Sequence, residues 1–211
     1  MSDPRILIVD DHAIVREGLK FLLRAQLGSA HIEEAQSGEE GIRLLHRDKW
    51  DIVLLDISLP GRSGIDVLHK IKSSGLSVPV LMLSMHPEEQ YALRAIRAGA
   101  AGYLTKESAP TELVEAVRKV VGGGRYVSAS LAERLAREFG RAVGGLPHER
   151  LSDREFDVLR MIASGMTVSQ IAEKVSLSVK TISTYRARVL QKMGLKNNAE
   201  LTHYALTHGI V

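Results

Sequence analysis

Apolar runs alternate with helical patterns over the first 125 residues of the chain. Runs of strand length recur at residues 6–9, 31–35, 52–55, 80–83 and 102–104. Between them, apolar residues recur at helical spacing over residues 13–27, 39–48, 65–74, 88–98 and 111–121. Strands that are apolar on both faces are typical of parallel sheets covered by helices. The alternation therefore predicts an α/β, doubly wound, five-stranded parallel sheet.

The pattern changes after the three glycines at 122–124, which end the fifth helical segment. Residues 128–139 form a short amphipathic pattern with Leu131, Leu135 and Phe139 on one helical face, and residues 140–147 have the composition of a loop. From His148 onward there is no strand signal. We therefore predict a first domain over 1–125, a linker with a short helix over 126–147, and an all-α domain over 148–211.

Composition narrows the classes of protein that fit. The 211 residues are 45% hydrophobic, as in ordinary globular proteins, and include no cysteine, which excludes disulfides, thiolate metal sites and a cysteine nucleophile. No segment approaches the roughly 20 apolar residues that span a bilayer, and the first apolar run is too short for a signal peptide. We expect a cytoplasmic protein without a membrane partner. The eight histidines show no paired ligand spacing, so we assign no metal site to them.

Chemically active side chains follow the ends of four predicted strands. They are Asp10, Asp11, Asp56, Ser84 and Lys106. The carboxyl ends of parallel strands are where such sheets bind ligands. Three clustered carboxylates repel one another unless a cation neutralises them, and Mg²⁺ is the natural ion for oxygen ligands beside a phosphate.

Within this cluster Asp56 is the candidate nucleophile toward phosphorus, which would give an aspartyl phosphate. Lys106 and the Ser84 hydroxyl would contact the phosphoryl oxygens. The alternative is a structural lysine–aspartate network without a ligand, which would leave the paired aspartates and Ser84 unexplained.

The C-terminal segment begins with a capping-box pattern, Ser152 and Glu155, ahead of a helix that ends near Gly165. A second helix is predicted over 168–174. After a short turn, Ser178 caps a third helix over 179–193, which Gly194 ends. A short helix, a turn and a basic helix are a helix-turn-helix arrangement.

Charge supports a polyanionic partner for this segment. The whole chain carries +3, but residues 1–125 sum to −1 and residues 148–211 to +3, and no carboxylate lies between Glu173 and Glu200. At about 100° per residue, Ile182, Val189 and Met193 share the inner face of the third helix, with Leu190 at its edge. The opposite face carries Lys180, Ser183, Thr184, Ala187, Arg188 and Gln191. Small side chains mixed with cations suit a helix in the major groove of double-stranded DNA.

Four motifs carry a family resemblance in the first domain: Ile-Val-Asp10-Asp11, Leu-Leu-Asp56-Ile-Ser-Leu-Pro60-Gly-Arg-Ser-Gly64, Leu-Ser84, and Gly-Tyr103-Leu-Thr-Lys106. With these, residues 5–121 resemble a response-regulator receiver domain of flavodoxin-like fold. The resemblance implies that Asp56 accepts a phosphoryl group from a sensor histidine kinase.

The same resemblance implies a metal site and a switch. Asp11, Asp56 and the Ser58 backbone carbonyl would bind Mg²⁺ directly, with Asp10 acting mainly through water. Ser84 and Tyr103 would form the switch pair, the hydroxyl moving toward the phosphate and the ring following inward. A partly exposed core position is the alternative for Tyr103, and Gly64 is expected to permit a turn.

Residues 151–195 carry a second set of motifs: Leu151-Ser-Asp-Arg154-Glu155-Phe-Asp-Val-Leu159, Ser-Gly165, Gln170-Ile171-Ala172, Leu-Ser178-Val-Lys-Thr181-Ile182 and Lys192-Met-Gly-Leu195. They resemble the LuxR-type helix-turn-helix of NarL/FixJ-family regulators. The resemblance implies that Ser183, Thr184 and Ala187 fall where members read bases. It also implies that a last helix, here residues 199–208, forms a homodimer on DNA.

Together these patterns predict a response regulator whose phosphorylation on Asp56 switches sequence-specific DNA binding and transcription control. It would not be an enzyme beyond catalysing its own phosphorylation and dephosphorylation. Two other classes stay open: a signalling protein whose basic domain binds a protein, and a phosphatase with Asp56 as nucleophile. A steep salt dependence of binding would distinguish a DNA-binding protein from a protein-binding one. Turnover of small phosphoesters would identify a phosphatase.

Overall fold

The structure is a computed structural model that describes residues 3–60, 62–139 and 146–211. Its contacts divide the chain into two compact units, one within Met1–Gly140 and one within Arg141–Val211. The predicted limits at 125 and 148 stay a prediction. Most of the predicted loop, residues 140–145, lies outside the described residues.

The first unit is the predicted α/β fold. Its strands are β1 (Arg5–Val9), β2 (His31–Ala35), β3 (Ile52–Asp56), β4 (Val80–Ser84) and β5 (Gly102–Thr105). Its helices are α1 (Ala13–Leu27), α2 (Gly38–Arg47), α3 (Gly64–Ser73), α4 (Glu88–Arg97), α5 (Ala109–Val121) and α6 (Ala129–Phe139). All strand pairs are parallel, in the order β2-β1-β3-β4-β5. The strand order reverses at β1 and β3, so a ligand crevice is expected above these two strands.

Both faces of the central strands are buried, as their unbroken apolar runs predicted. Ile6, Leu7 and Ile8 follow one another in β1 with no exposed surface, although their side chains point to alternate faces. On one face α1 and α5 cover Ile6, Ile8 and Leu54. The polar strand ends are therefore set on a rigid sheet.

Within the first unit, the segment after α5 folds back onto β5 and α4, which the sequence did not indicate. The Tyr126 backbone N–H donates to the Ala101 carbonyl at 2.9 Å, and its carbonyl accepts from the Tyr103 N–H at 3.3 Å. The Ser130 hydroxyl of α6 donates to Glu88 Oε1 in α4 at 2.8 Å, and Leu131 is fully buried. The predicted linker helix thus packs against α4.

The second unit is helical, as predicted. It comprises a 3₁₀ helix (Pro147–Arg150), α7 (Asp153–Ala163), α8 (Val168–Lys174), α9 (Val179–Met193) and α10 (Asn198–Thr207). The predicted capping box is present, with Ser152 accepting from the Glu155 N–H and the Glu155 carboxylate accepting from the Ser152 N–H. Gly194 ends α9 with a φ of 68°, in the left-handed region that favours glycine. Among the described residues we find no helix with the length and apolar content needed to span a lipid bilayer.

Candidate functional site

Two carboxylates and a lysine meet at the carboxyl ends of β1, β3 and β5. Lys106 Nζ lies 2.7 Å from Asp10 Oδ2 and 2.9 Å from Asp56 Oδ2. Asp10, Asp56 and Ser84 are all fully buried. The structure therefore brings Asp10, Asp56 and Lys106 together, as the sequence predicted, and buries Ser84 at the end of the neighbouring strand β4.

The sheet register explains this convergence. Val9 pairs with Leu55 across β1 and β3, so the next residues, Asp10 and Asp56, lie side by side at the carboxyl ends of these two strands. The Ser58 backbone N–H donates to Asp56 Oδ1 at 3.2 Å and helps to orient that carboxylate.

Gly64 is required here by a close approach of the main chain. A Cβ atom at this position would lie 2.0 Å from the Asp56 carbonyl oxygen, and the Gly64 N–H donates to the Ile57 carbonyl at 2.8 Å. Any larger residue would push the start of α3 away from the end of β3. The glycine expected to permit a turn thus packs directly on the backbone of the candidate nucleophile.

Burial and neighbouring charges have opposite effects on the pKa values of the ionisable groups in this pocket. Burial raises the pKa of Asp56, although Lys106 acts in the other direction. Burial lowers the pKa of Lys106, but Asp56 and Asp10 outweigh it, and the pKa of the lysine is raised. The ammonium group is therefore held charged between two carboxylates that one lysine does not fully compensate.

The oxygen-rich cluster fits a hard cation. Ligand atoms of Asp10, Asp11, His12 and Asp56 all lie within 4.8 Å of one another. The Asp11 side chain is 31% exposed, so the cluster opens to solvent on that side. Carboxylate oxygens with access to water match what Mg²⁺ prefers.

His12 is a member of this cluster that the sequence analysis missed. Its Nδ1 lies 2.9 Å from Asp11 Oδ1 and 3.3 Å from Asp10 Oδ1. Histidine spacing gives no signal for His12, because its neighbours in the cluster are carboxylates. The adjacency of His12 to the two aspartates was the available signal.

Ser84 and Tyr103, the predicted switch pair, both bond to the main chain of His86. The Ser84 hydroxyl oxygen accepts from the His86 N–H at 2.9 Å, and the Tyr103 hydroxyl donates to the His86 carbonyl at 2.9 Å. The Tyr103 ring is 2% exposed. It therefore occupies an inward position in this structure rather than a partly exposed one.

In the second unit, α9 separates its two predicted faces. Ile182, Val189 and Met193 are buried, and Leu190 is half-buried. The six residues predicted to face DNA are all exposed: Lys180, Ser183, Thr184, Ala187, Arg188 and Gln191.

Two further basic residues of α9 bond within the unit. Arg186 Nε donates to Asn198 Oδ1 of α10 at 2.6 Å, and Lys192 Nζ donates to Glu155 Oε2 of α7 at 2.6 Å. The basic stretch that the sequence showed therefore divides between a solvent-facing stripe and contacts that fix α9 on its neighbours.

Both units match known sequence families. The family described as "Response regulator receiver domain" matches residues 6–118, and the one described as "Bacterial regulatory proteins, luxR family" matches residues 149–205. The response regulator UvrY of Escherichia coli (strain K12) is 37% identical over 206 residues, covering 97% of this chain and 94% of UvrY. The response regulator GacA of Pseudomonas viridiflava is 36% identical over 208 residues, covering 98% of this chain and 97% of GacA.

Solved structures of a response regulator with DNA are also similar. RcsB from Salmonella enterica serovar Typhimurium, bound to promoter rprA in the presence of phosphomimetic BeF3−, has a TM-score of 0.64 and 28% identity, covering 97% of this chain and 100% of that chain. A structure of two RcsB dimers bound to two parallel DNAs has a TM-score of 0.59 and 26% identity, covering 98% of this chain and 99% of that chain.

Proposed function

The chain belongs to the response regulators that join a receiver domain to a LuxR-type DNA-binding domain, and we propose that Asp56 is its phosphoacceptor. The protein is a phosphorylation-controlled transcription regulator, as its relatives over nearly the whole length are response regulators. The observation that carries the proposal is the contact of Lys106 with both Asp10 and Asp56 in a buried pocket.

In the proposed reaction an Asp56 carboxylate oxygen attacks the phosphorus of a donor, forming an aspartyl phosphate and releasing the donor group. The donor would be a phosphohistidine of a sensor kinase. Lys106 holds a positive charge where the phosphoryl oxygens would lie, and the Ser84 hydroxyl, which accepts from His86, keeps its own hydrogen to donate. The protein therefore supplies position and charge rather than a second nucleophile.

The cation proposed for the acidic cluster is Mg²⁺, which favours carboxylate and carbonyl oxygens. Asp11 and Asp56 would hold the ion directly with the Ser58 carbonyl, and Asp10 through water. The ion would neutralise the carboxylates and the phosphoryl oxygens together. Because burial raises the pKa of Asp56, a second cation beside Lys106 favours the ionised, nucleophilic form.

The proposed output surface is the exposed stripe of α9. Lys180 and Arg188 would contact the DNA backbone, and Ser183, Thr184 and Ala187 would approach the base edges, with Gln191 exposed on the same face. The structure of two RcsB dimers on DNA supports a homodimer as the DNA-bound form. The matched luxR family is one of bacterial regulatory proteins, and bacterial DNA lies in the cytoplasm, so we propose that the protein acts there.

The matched families are regulatory modules, so the chain is not a conventional enzyme. The chemistry that we propose for it is limited to phosphorylation and dephosphorylation of its own Asp56. The domains would comprise residues 1–125 for the receiver, 126–147 for the linker and 148–211 for DNA binding.

The full-length protein tests this proposal in a DNA-selection experiment. Wild-type protein and Asp56→Asn are each incubated with Mg²⁺, with and without a small acyl-phosphate donor, and then with a randomised DNA pool. The donor should increase selective binding by the wild type and leave Asp56→Asn unchanged. Equal responses of the two proteins, or selective binding that the donor does not alter, would overturn it.

A further inference from the structure

Arg16 is a buried cation next to the phosphorylation pocket. It lies in α1 with 7% of its surface exposed. Its Nη1 donates to the Asp10 carbonyl oxygen at 2.8 Å, and its Nε donates to Glu34 Oε2 on β2 at 2.9 Å. A planar guanidinium can make both bonds at once because its donors are fixed in a fork.

The Asp10 carbonyl lies just beyond the end of β1. The residue before it, Val9, is the last that pairs with β2 and β3. The Asp10 N–H still donates to the Ala35 carbonyl at 3.1 Å, but beyond that bond the chain leaves the sheet. Arg16 therefore fixes the peptide plane that joins Asp10 to Asp11.

Asp11 depends on this peptide plane for its position. Its side chain is 31% exposed, and its Oδ1 contacts His12, whose own side chain is 61% exposed. Asp10, in contrast, is buried and holds Lys106. The main-chain direction at Asp10–Asp11 therefore decides where the Asp11 carboxylate stands relative to Asp56.

Glu34 holds the guanidinium in turn. A hydrogen bond from Lys20 lowers the pKa of Glu34, burial raises it, and Arg16 lowers it further, leaving the pKa below its usual range. The carboxylate therefore stays charged at neutral pH and keeps both cations in place. Lys20 bonds to Glu34 and Glu17.

We infer that Arg16 is a positioning residue for the metal and phosphoryl site, acting by holding the Asp10 carbonyl so that Asp11 stands within reach of the ion. This role rests on the proposed function, and Arg16 is not among the proposed Mg²⁺ ligands. Contacts of this kind behind metal ligands typically contribute 10- to 100-fold to affinity.

Simple electrostatics predicts the opposite sign. Removing a cation beside an acidic pocket should strengthen Mg²⁺ binding, whereas losing the position of Asp11 should weaken it. Lys20→Ala is a matched control, since it removes a neighbouring cation that lies on the same helix and bonds to the same Glu34 carboxylate.

The test is a titration of the full-length protein with Mg²⁺, in which binding is monitored by the NMR amide signals of residues 10–12. All proteins are measured below the melting temperature of the least stable variant. Arg16→Ala should weaken Mg²⁺ binding about 10-fold or more, and Lys20→Ala should stay within about twofold of wild type. Arg16→Lys keeps the charge and the fold but loses the fork, so its affinity should also fall.

Wild-type affinity in a folded Arg16→Lys or Arg16→Ala protein overturns the inference, and so does tighter binding. An equal loss in Lys20→Ala overturns it too, because the effect would then belong to Glu34. A wild-type protein that does not respond to Mg²⁺ overturns the proposed metal site, and the inference with it.

Discussion

The hydroxyl of Tyr103 donates a hydrogen bond to the carbonyl oxygen of His86 at 2.9 Å. The backbone N–H of His86 donates to Ser84 Oγ at 2.9 Å. Both members of the proposed switch pair therefore bond to the main chain of His86. Ser84 ends β4 beside the acidic pocket, and two residues beyond His86 the helix α4 begins. A change at the pocket therefore has a short path of bonded groups to the start of α4.

Tyr103→Phe should loosen this segment while keeping the ring in the core. The lost bond should cost about 0.5–1.5 kcal/mol locally. We expect faster hydrogen exchange at the amides of Met85, His86 and Glu88, and a smaller gain in DNA binding on phosphorylation. Tyr126→Phe is a matched control, because it removes a hydroxyl that donates to Glu112 at 2.9 Å on α5. Equal exchange at these three amides in both variants would show that the Tyr103 hydroxyl has no special role.

Phosphorylation should require both Asp56 and a divalent cation. Incubation of the protein with Mg²⁺ and an acyl-phosphate donor should add one acid-labile phosphoryl group, measured by intact-mass spectrometry. Asp56→Asn should abolish labelling, and Asp11→Asn should lower it by weakening the metal site without unfolding the protein.

Asp51→Asn is the control for these two variants, since Asp51 precedes β3 and bonds to the Arg5 N–H, away from the pocket. It should label like the wild type. Full labelling of Asp56→Asn would assign the phosphoryl group to another residue, and labelling that persists after chelation of metal would remove the need for Mg²⁺.

Much of the fold and of the site followed from the sequence because the signals were local. The bounds of α1, α8 and α9 match the predicted ones to the residue. Ser178 and Gly194 mark both ends of α9, Thr167 caps the start of α8, and Gly28 follows the end of α1. Helices α2 and α3 begin one residue earlier than predicted, at Gly38 and Gly64, directly after their serine caps.

The contacts that the sequence could not show join residues far apart in the chain. Arg16 meets Glu34 from another element, and Ser130 meets Glu88 across 42 residues. Hydrophobic periodicity places a residue on a face of its own element but does not say which polar group lies opposite. Nothing in the pattern around Tyr126 predicted its pairing with β5, because a single bridge leaves no periodic signal.

The stability of the second unit should depend on pH through Glu155, whose carboxylate is almost fully buried. Burial raises the pKa of this group, but Lys192 and the Ser152 groups outweigh it, so the pKa is lowered. A carboxyl with a lower pKa in the folded protein stabilises the fold above its unfolded pKa. This contribution is lost as pH falls through the folded pKa.

Glu155→Gln should therefore lower the free energy of unfolding of this unit by about 1–3 kcal/mol at neutral pH. The difference should shrink as pH falls below the ordinary glutamate pKa of about 4.3. The free energy of unfolding is measured by urea unfolding, with hydrogen exchange in α7 as the readout. Glu173→Gln, at an exposed position, is the control. A difference that is independent of pH would assign the effect to shape rather than charge.

We expect some residues of the exposed stripe of α9 to contact the DNA backbone and others to contact the bases. Arg188 is long and exposed, so we expect it to reach phosphates. Thr184 is short, and its hydroxyl donates to the Lys180 carbonyl at 3.0 Å, which leaves its methyl group and oxygen lone pairs to meet base edges.

Arg188→Ala should accordingly weaken binding to all DNA sequences about equally and lower the salt slope by about one unit. Thr184→Ala should change which bases are preferred, at a cost of roughly 1–3 kcal/mol on the best site. Competitive binding of both variants to a randomised DNA pool at several salt concentrations measures the two effects. Arg24→Ala, which removes an exposed cation from the first unit, controls for charge alone. If Arg188→Ala shifts the selected sequence while Thr184→Ala preserves it, the two roles are reversed. If neither variant alters binding, α9 is not the helix that reads DNA.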